Sequence, residues 1–114
     1  MRTSRLLLAD ILESIDEIID VTPASLSHFL ANKLIQSHVL RHIAIIGEAC
    51  SRVSRDLRDA HPNVPWRQII DMRNIAVHVY HGINWERVHE TARKDVPRLK
   101  LQIESILASL PEDK

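Results

Sequence analysis

The sequence predicts an all-α fold, a four- to five-helix up-and-down bundle forming one domain over residues 1–114. Three observations predict it. Gly occurs twice and Pro five times in 114 residues, too little turn material for a many-stranded sheet protein. Apolar residues recur at three- and four-residue intervals through most of the chain. The hydrophobic fraction is 45% against 26% charged, enough for one core and too apolar for a disordered chain.

The first helix is expected from Ser4 to Asp20. Leu7, Leu8, Ile11, Ile15, Ile18 and Ile19 form its apolar stripe, and Asp10, Glu13, Asp16, Glu17 and Asp20 fill the other side. Thr22-Pro23 then reads as a cap followed by proline at the first helical position, opening one or two turns in "TPASLSHFL". The longest helix is expected from Asn32 to Ala60, with Ile35, Val39, Ile43, Ile46, Cys50, Val53 and Leu57 in a heptad-like stripe. Ala44, Gly47, Ala49 and Cys50 are small, and glycine in a helix interior costs about 1 kcal/mol relative to alanine. Close approach of another helix explains Gly47. "HPNVP" ends this element.

A third long helix is expected from Trp66 to Tyr80, ended by Gly82. Asn84 caps the next, which carries Trp85, Val88 and Ala92. Asp95-Val96-Pro97 reads either as a new cap with proline in the first turn or as a kink within one helix. The pattern then continues through Leu99, Ile103, Ile106 and Leu110.

Net charge is zero, but it is unevenly spread. Residues 1–30 sum to −3, residues 31–100 to +5 and the last fourteen to −2. Eleven of the fifteen basic residues are Arg, whose planar fork suits phosphate, although solvated helical surfaces often share this composition. No apolar run is long enough to span a membrane, and the acids in "RTSRLLLADILESI" interrupt any secretory signal. Cys50 is the sole cysteine, so no intrachain disulfide forms and a reducing cytoplasm is the expected compartment.

The stretch "RNIAVHVYHG", Arg73 to Gly82, sets polar groups in an otherwise apolar helix. At 100° per residue, Ile69, Met72, Ile75, Ala76 and Val79 fall within a sector of about 120° that faces the core. Asp71, Asn74, His78 and His81 form a polar stripe on the far side, while Arg73 and Tyr80 share one margin of the core face. Arg73 and His78 stand about 140° apart, so a bent Arg side chain or a two-fold partner must bring them to one phosphate. The partner is favoured, because a bundle of this size offers no deep cleft of its own.

Chemically the set suits RNA cleavage without metal. Histidine titrates near neutral pH, arginine stabilises charge on a pentavalent phosphate, and RNA carries its own 2′-hydroxyl nucleophile. Asn74 would orient the phosphate or the imidazole. The same residues also fit a plainer reading, in which a helix-end Arg, His and Tyr satisfy neighbouring carbonyls and carboxylates.

"RNIAVHVY" resembles the signature of the HEPN-domain ribonucleases, and more closely the HepT toxins: Arg, a polar residue, three more, His, any residue, Tyr. "IIGEACSRVSRDLRDAHPNVPWRQIIDMRN" is similar to that family's long helix and following turn, and "DVPRLKLQIESIL" to its last helix, so nearly the whole chain is covered. The resemblance implies a homodimer built around the motif helix, with a metal-independent endoribonuclease cleft at the interface. It also implies the toxin of a type VII-like HepT/MNT toxin–antitoxin system. The antitoxin there is a minimal nucleotidyltransferase that transfers AMP to the motif tyrosine. Carried over, Arg73 and His78 are catalytic, Asn74 is the polar helper and Tyr80 is the AMPylation target. Glu48 matches the Gly-Glu-Ala glutamate and is expected to hold Arg73. His81 stands where an aromatic is more usual and is expected as a supporting residue, altering proton transfer or substrate choice from the His78 stripe, and "GIN" replaces glycine-hydrophobic-aspartate. The implied partners are an RNA substrate (tRNA or mRNA), the nucleotidyltransferase and a second copy, with no membrane and no cofactor. The reading of a different class is a non-catalytic helical module that docks a nucleotidyltransferase or senses nucleotide. A third is a purely structural helical dimer.

Other candidate sites are weaker. "HVLRH" spaces His38 and His42 one turn apart, as two zinc ligands need, but no third ligand is evident and no metal is expected. "ERVH" supplies half of a di-iron Glu-x-x-His arrangement, and an exposed helix surface is the expectation for Glu86 and His89. Cys50 reads as a packing residue, and Trp66 and Trp85 as core or hinge anchors.

Overall fold

The computed structural model describes residues 3–77 and 82–111. Among the described residues, seven α-helices follow one another: α1 (Ser4–Val21), α2 (Leu26–Leu30), α3 (Lys33–Arg52), α4 (Arg55–Ala60), α5 (Trp66–Val77), α6 (Trp85–Glu90) and α7 (Val96–Ser109), with a π-helical turn over Thr91–Asp95 joining the last two. The described residues contain no strand. The all-α bundle expectation is met. The long helices α1, α3, α5 and the α6–α7 unit form its body, and α2 and α4 are single-turn connectors.

Local chemistry starts most of these elements. Side-chain oxygens of Thr3, Ser25, Asn32, Ser54 and Asn84 each accept a backbone N–H three residues on, at 3.0–3.2 Å. Each removes one orphan donor of a helix start, worth about 1 kcal/mol. Thr22 is not the cap expected of it. Its hydroxyl instead donates to the Ile18 carbonyl at 2.6 Å, closing α1, and Ser25 caps α2.

The longest helix is shorter than the apolar stripe suggests. Val53 adopts extended backbone, and Ser54 donates its N–H to Ser4 Oγ at 3.1 Å and then caps α4. The stripe crosses this break because Val53 is buried and Leu57 still packs on the core. Of the two readings at Asp95, the structure takes the single helix. Asp95 makes no side-chain cap, and the helix passes through without interruption, with the Val96 N–H bonded five residues back to Thr91. Pro97 has no N–H and its ring would collide with the carbonyl four residues earlier. The wide turn relieves both. Of the predicted third long helix, residues 78–80 lie outside the described residues.

The core runs along one seam. Leu8, Ile11, Ile15 and Ile18 of α1, Val39, Ile43 and Ile46 of α3, and Ile103 of α7 are at most 1% exposed. Ile19, expected on the apolar stripe, is exposed at its margin. Helix α3 is central, packing against α1 on one side and α5 on another, while α7 covers α1. A Lys100–Asp16 ion pair at 2.9 Å ties α7 to α1.

Candidate active site

The site begins with the close contact of α3 and α5. A Cβ built on Gly47 would stand 3.0 Å from both Arg73 Cβ and the Ile69 carbonyl oxygen. Only the missing side chain lets the two helices approach this closely, as the small-residue stripe predicts. The approach sets Arg73 of α5 against the turn of α3 that holds Glu48.

Arg73 Nη1 donates to Glu48 Oε2 at 2.9 Å, and the other carboxylate oxygen accepts from Arg52 Nε at 3.2 Å. Glu48 therefore sits between two guanidinium groups. The Arg73 side chain is 41% exposed and that of Glu48 50%. A pair so open to water adds only about 0–1 kcal/mol of stability. Its consequence is geometric: a flexible side chain is held in one direction while part of its guanidinium still faces solvent. Asn74 follows Arg73 and is exposed. The structure thus brings Arg73 to Glu48 with Asn74 adjacent in the chain. His78, Tyr80 and His81 lie outside the described residues.

Sequence reasoning missed Arg52 as the second holder of Glu48. Its signal was the four-residue spacing from Glu48 on one helix, where side chains meet.

A family model described as "Ribonuclease HepT-like" matches residues 11–106. This chain belongs to the HepT-like ribonuclease family. A Methanocaldococcus jannaschii protein named "Putative RNase MJ1380" is 37% identical to it over 106 residues, covering 92% of this chain and 97% of its own length. A Thermococcus cleftensis protein named "Probable ribonuclease HepT" is 35% identical over 100 residues, covering 87% and 91%. No solved structure matches the chain significantly.

The remaining candidates of this HepT-like chain resolve as follows. His89 is buried, not on an exposed surface, with Nε2 2.8 Å from the Pro23 carbonyl oxygen and its ring against Phe29. It fastens α6 to the α1–α2 connection. Glu86 is exposed, so the two are not a ligand pair. Trp66 is buried and donates its indole N–H to the His61 carbonyl at 3.0 Å, while Trp85 packs edge-on to Phe29. Both are anchors. Cys50 is fully buried, and burial pushes its thiol up to about 12, so it is a packing group and not a nucleophile.

His38 and His42 differ from expectation. A third potential ligand exists, and it comes from another helix: Glu17 of α1. His42 Nδ1 lies 3.0 Å from the hydroxyl oxygen of buried Ser14. Burial lowers the His42 pKa, helped by neighbouring His38 and opposed by Glu17.

None of the helices among the described residues is long and apolar enough to cross a membrane.

Proposed function

We propose that this chain is a metal-independent endoribonuclease, the toxin of a toxin–antitoxin pair, working as a homodimer in the cytoplasm. The observation that carries the reading is the Glu48-held Arg73, partly open to solvent, at the start of an Arg-Asn-x3-His-x-Tyr motif. The ribonuclease names of the relatives support it.

In this mechanism Arg73 binds the scissile phosphate and stabilises the extra charge of the pentavalent state. His78 takes the proton of the RNA 2′-hydroxyl, whose oxygen attacks the adjacent phosphorus. The bond to the 5′-oxygen breaks, and an imidazolium returns a proton to that oxygen. The products are a 2′,3′-cyclic phosphate and a free 5′-hydroxyl. Asn74 orients the phosphate. A second copy facing the motif helix supplies a second His78, so that one ring is base while the other is acid.

The same motif offers a means of silencing. A nucleotidyltransferase antitoxin would transfer AMP from ATP to the Tyr80 hydroxyl, releasing pyrophosphate. The bound AMP phosphate then occupies Arg73 from within the protein, and its adenosine fills the path of the RNA base.

The test is cleavage of tRNA and mRNA by unmodified protein in excess EDTA, beside Arg73→Ala and His78→Ala. Cleavage by the wild type, and none by folded dimeric variants, supports the reading. An inert wild type with no mass adduct on Tyr80 would replace it with a nucleotide- or nucleotidyltransferase-binding module.

A further inference from the structure

A second constellation lies on the face of α3 that meets α1, away from Gly47 and Arg73. His38 and His42 stand one turn apart with ring centroids 4.5 Å apart, and Glu17 reaches toward both from α1. Glu17 Oε1 is 3.6 Å from His38 Nε2 and 4.0 Å from His42 Nε2. All three potential ligand atoms lie within 4.8 Å of one another. Both nitrogen–oxygen separations are too long for hydrogen bonds. Ligands held at ~2.0–2.2 Å around one tetrahedral ion stand about 3.3 Å apart, so small side-chain rotations close this set on a single ion.

We propose that Glu17, His38 and His42 bind one zinc-class divalent ion, which fastens α1 to α3.

Two further observations point to a ligand. His42 has its Nδ1 engaged by Ser14, a buried hydroxyl, which fixes the ring and leaves Nε2 directed at the shared space. Metal-bound histidines characteristically use their second nitrogen this way. His38 Nε2 is covered from solvent and makes no hydrogen bond, although 36% of the His38 side chain is exposed. A covered ring nitrogen without a partner requires one, and an ion between the three groups supplies it.

The donor set selects the ion. Two imidazoles and one carboxylate suit zinc and its neighbours, whereas magnesium and calcium prefer all-oxygen shells. Three protein ligands leave a fourth position for water. A simple ion pair explains less, because it leaves both rings beyond hydrogen-bond reach of the one oxygen they face. The site is separate from the proposed cleavage chemistry, which uses Arg73 and His78 and routes no step through a metal.

The experiment uses untagged, chelator-stripped full-length protein titrated with Co²⁺ and with Zn²⁺. One Co²⁺ per chain should bind with the strong visible bands of four-coordinate cobalt, and Zn²⁺ should displace it and raise the melting temperature. Ser14→Ala should weaken binding roughly 10- to 100-fold, as losing a partner of a ligand does. His38→Ala, which alters a partly exposed ring, and Glu17→Gln should abolish the bands while circular dichroism stays unchanged. No uptake by the wild type, or bands that persist in both ligand variants, would overturn the proposal.

Discussion

Arg73 and Glu48 are joined twice over: their side chains meet at 2.9 Å, and the backbone behind Arg73 rests on Gly47, the residue before Glu48. One stretch of α3 therefore admits the arginine's helix and aims the arginine's charge. Position and direction come from neighbouring residues with opposite properties, one lacking a side chain and the other carrying a carboxylate.

Removing that carboxylate should damage activity more than stability. Glu48→Ala is expected to lower the cleavage rate by roughly 10- to 100-fold, the scale of a displaced catalytic group. The unfolding free energy should fall by no more than about 1 kcal/mol, since the pair is exposed. Glu48→Gln should fall between, because an amide oxygen still accepts from Arg73. Single-turnover cleavage and denaturant melts check both. An unchanged rate would mean that Arg73 needs no holder.

Gly47→Ala tests the helix contact itself. Alanine improves helix propensity by about 1 kcal/mol, whereas forcing a methyl into a packed interface costs about 1–3 kcal/mol. What it would meet is a Cβ and a backbone carbonyl, neither of which swings aside. The net expectation is a loss of up to about 2 kcal/mol and a displaced Arg73, read as a lower melting temperature and slower cleavage. A variant as stable and active as wild type would show that α5 has room to move.

Much of the fold was legible because its causes are local. The alternation of Leu8, Ile11, Ile15 and Ile18 declares the buried face of α1, and Asn84 declares a helix start. Glycine amid helix formers signals the close approach of another helix, though not which one, and the contact of Glu48 with Arg73 follows a pairing that only the family resemblance suggests. What escaped was decided by competition or by distance along the chain. Thr22 and Ser25 both suit a cap, and only the folded backbone chooses between them. The break at Val53–Ser54 hides under a continuous apolar stripe. Glu17 meets His38 and His42 across two helices, which no spacing within one helix reveals.

Cys50 should resist alkylation. With its thiol at about 12 and the residue fully buried, thiolate is scarce at pH ~8 and access is closed. Iodoacetamide should leave the native mass unchanged and add one adduct in denaturant. Rapid native labelling would show that the α3 core opens easily.

Acid should weaken the metal-free protein through His42. Its folded pKa lies below the ordinary 6.5, so between the two values the unfolded chain binds more protons than the folded one. The stabilisation from a neutral His42 is complete above the unfolded value and is lost as pH falls through the folded one. Glu17, Glu13, His38 and Arg41 are the charged or titratable groups acting on it. In chelator, denaturant midpoints taken from about pH 7 down to about pH 5 should drop more steeply for wild type than for His42→Gln. Parallel slopes would place the acid sensitivity elsewhere.

The wide turn at Thr91–Asp95 also joins two core-facing half-helices. Val88 before it, Ala92 within it, and Val96, Leu99 and Ile103 after it are all buried in the core. Deleting one residue there would return the segment to ordinary helical bonding and bring the Pro97 ring against the carbonyl of the preceding turn. This short segment should therefore tolerate substitutions far better than changes in length.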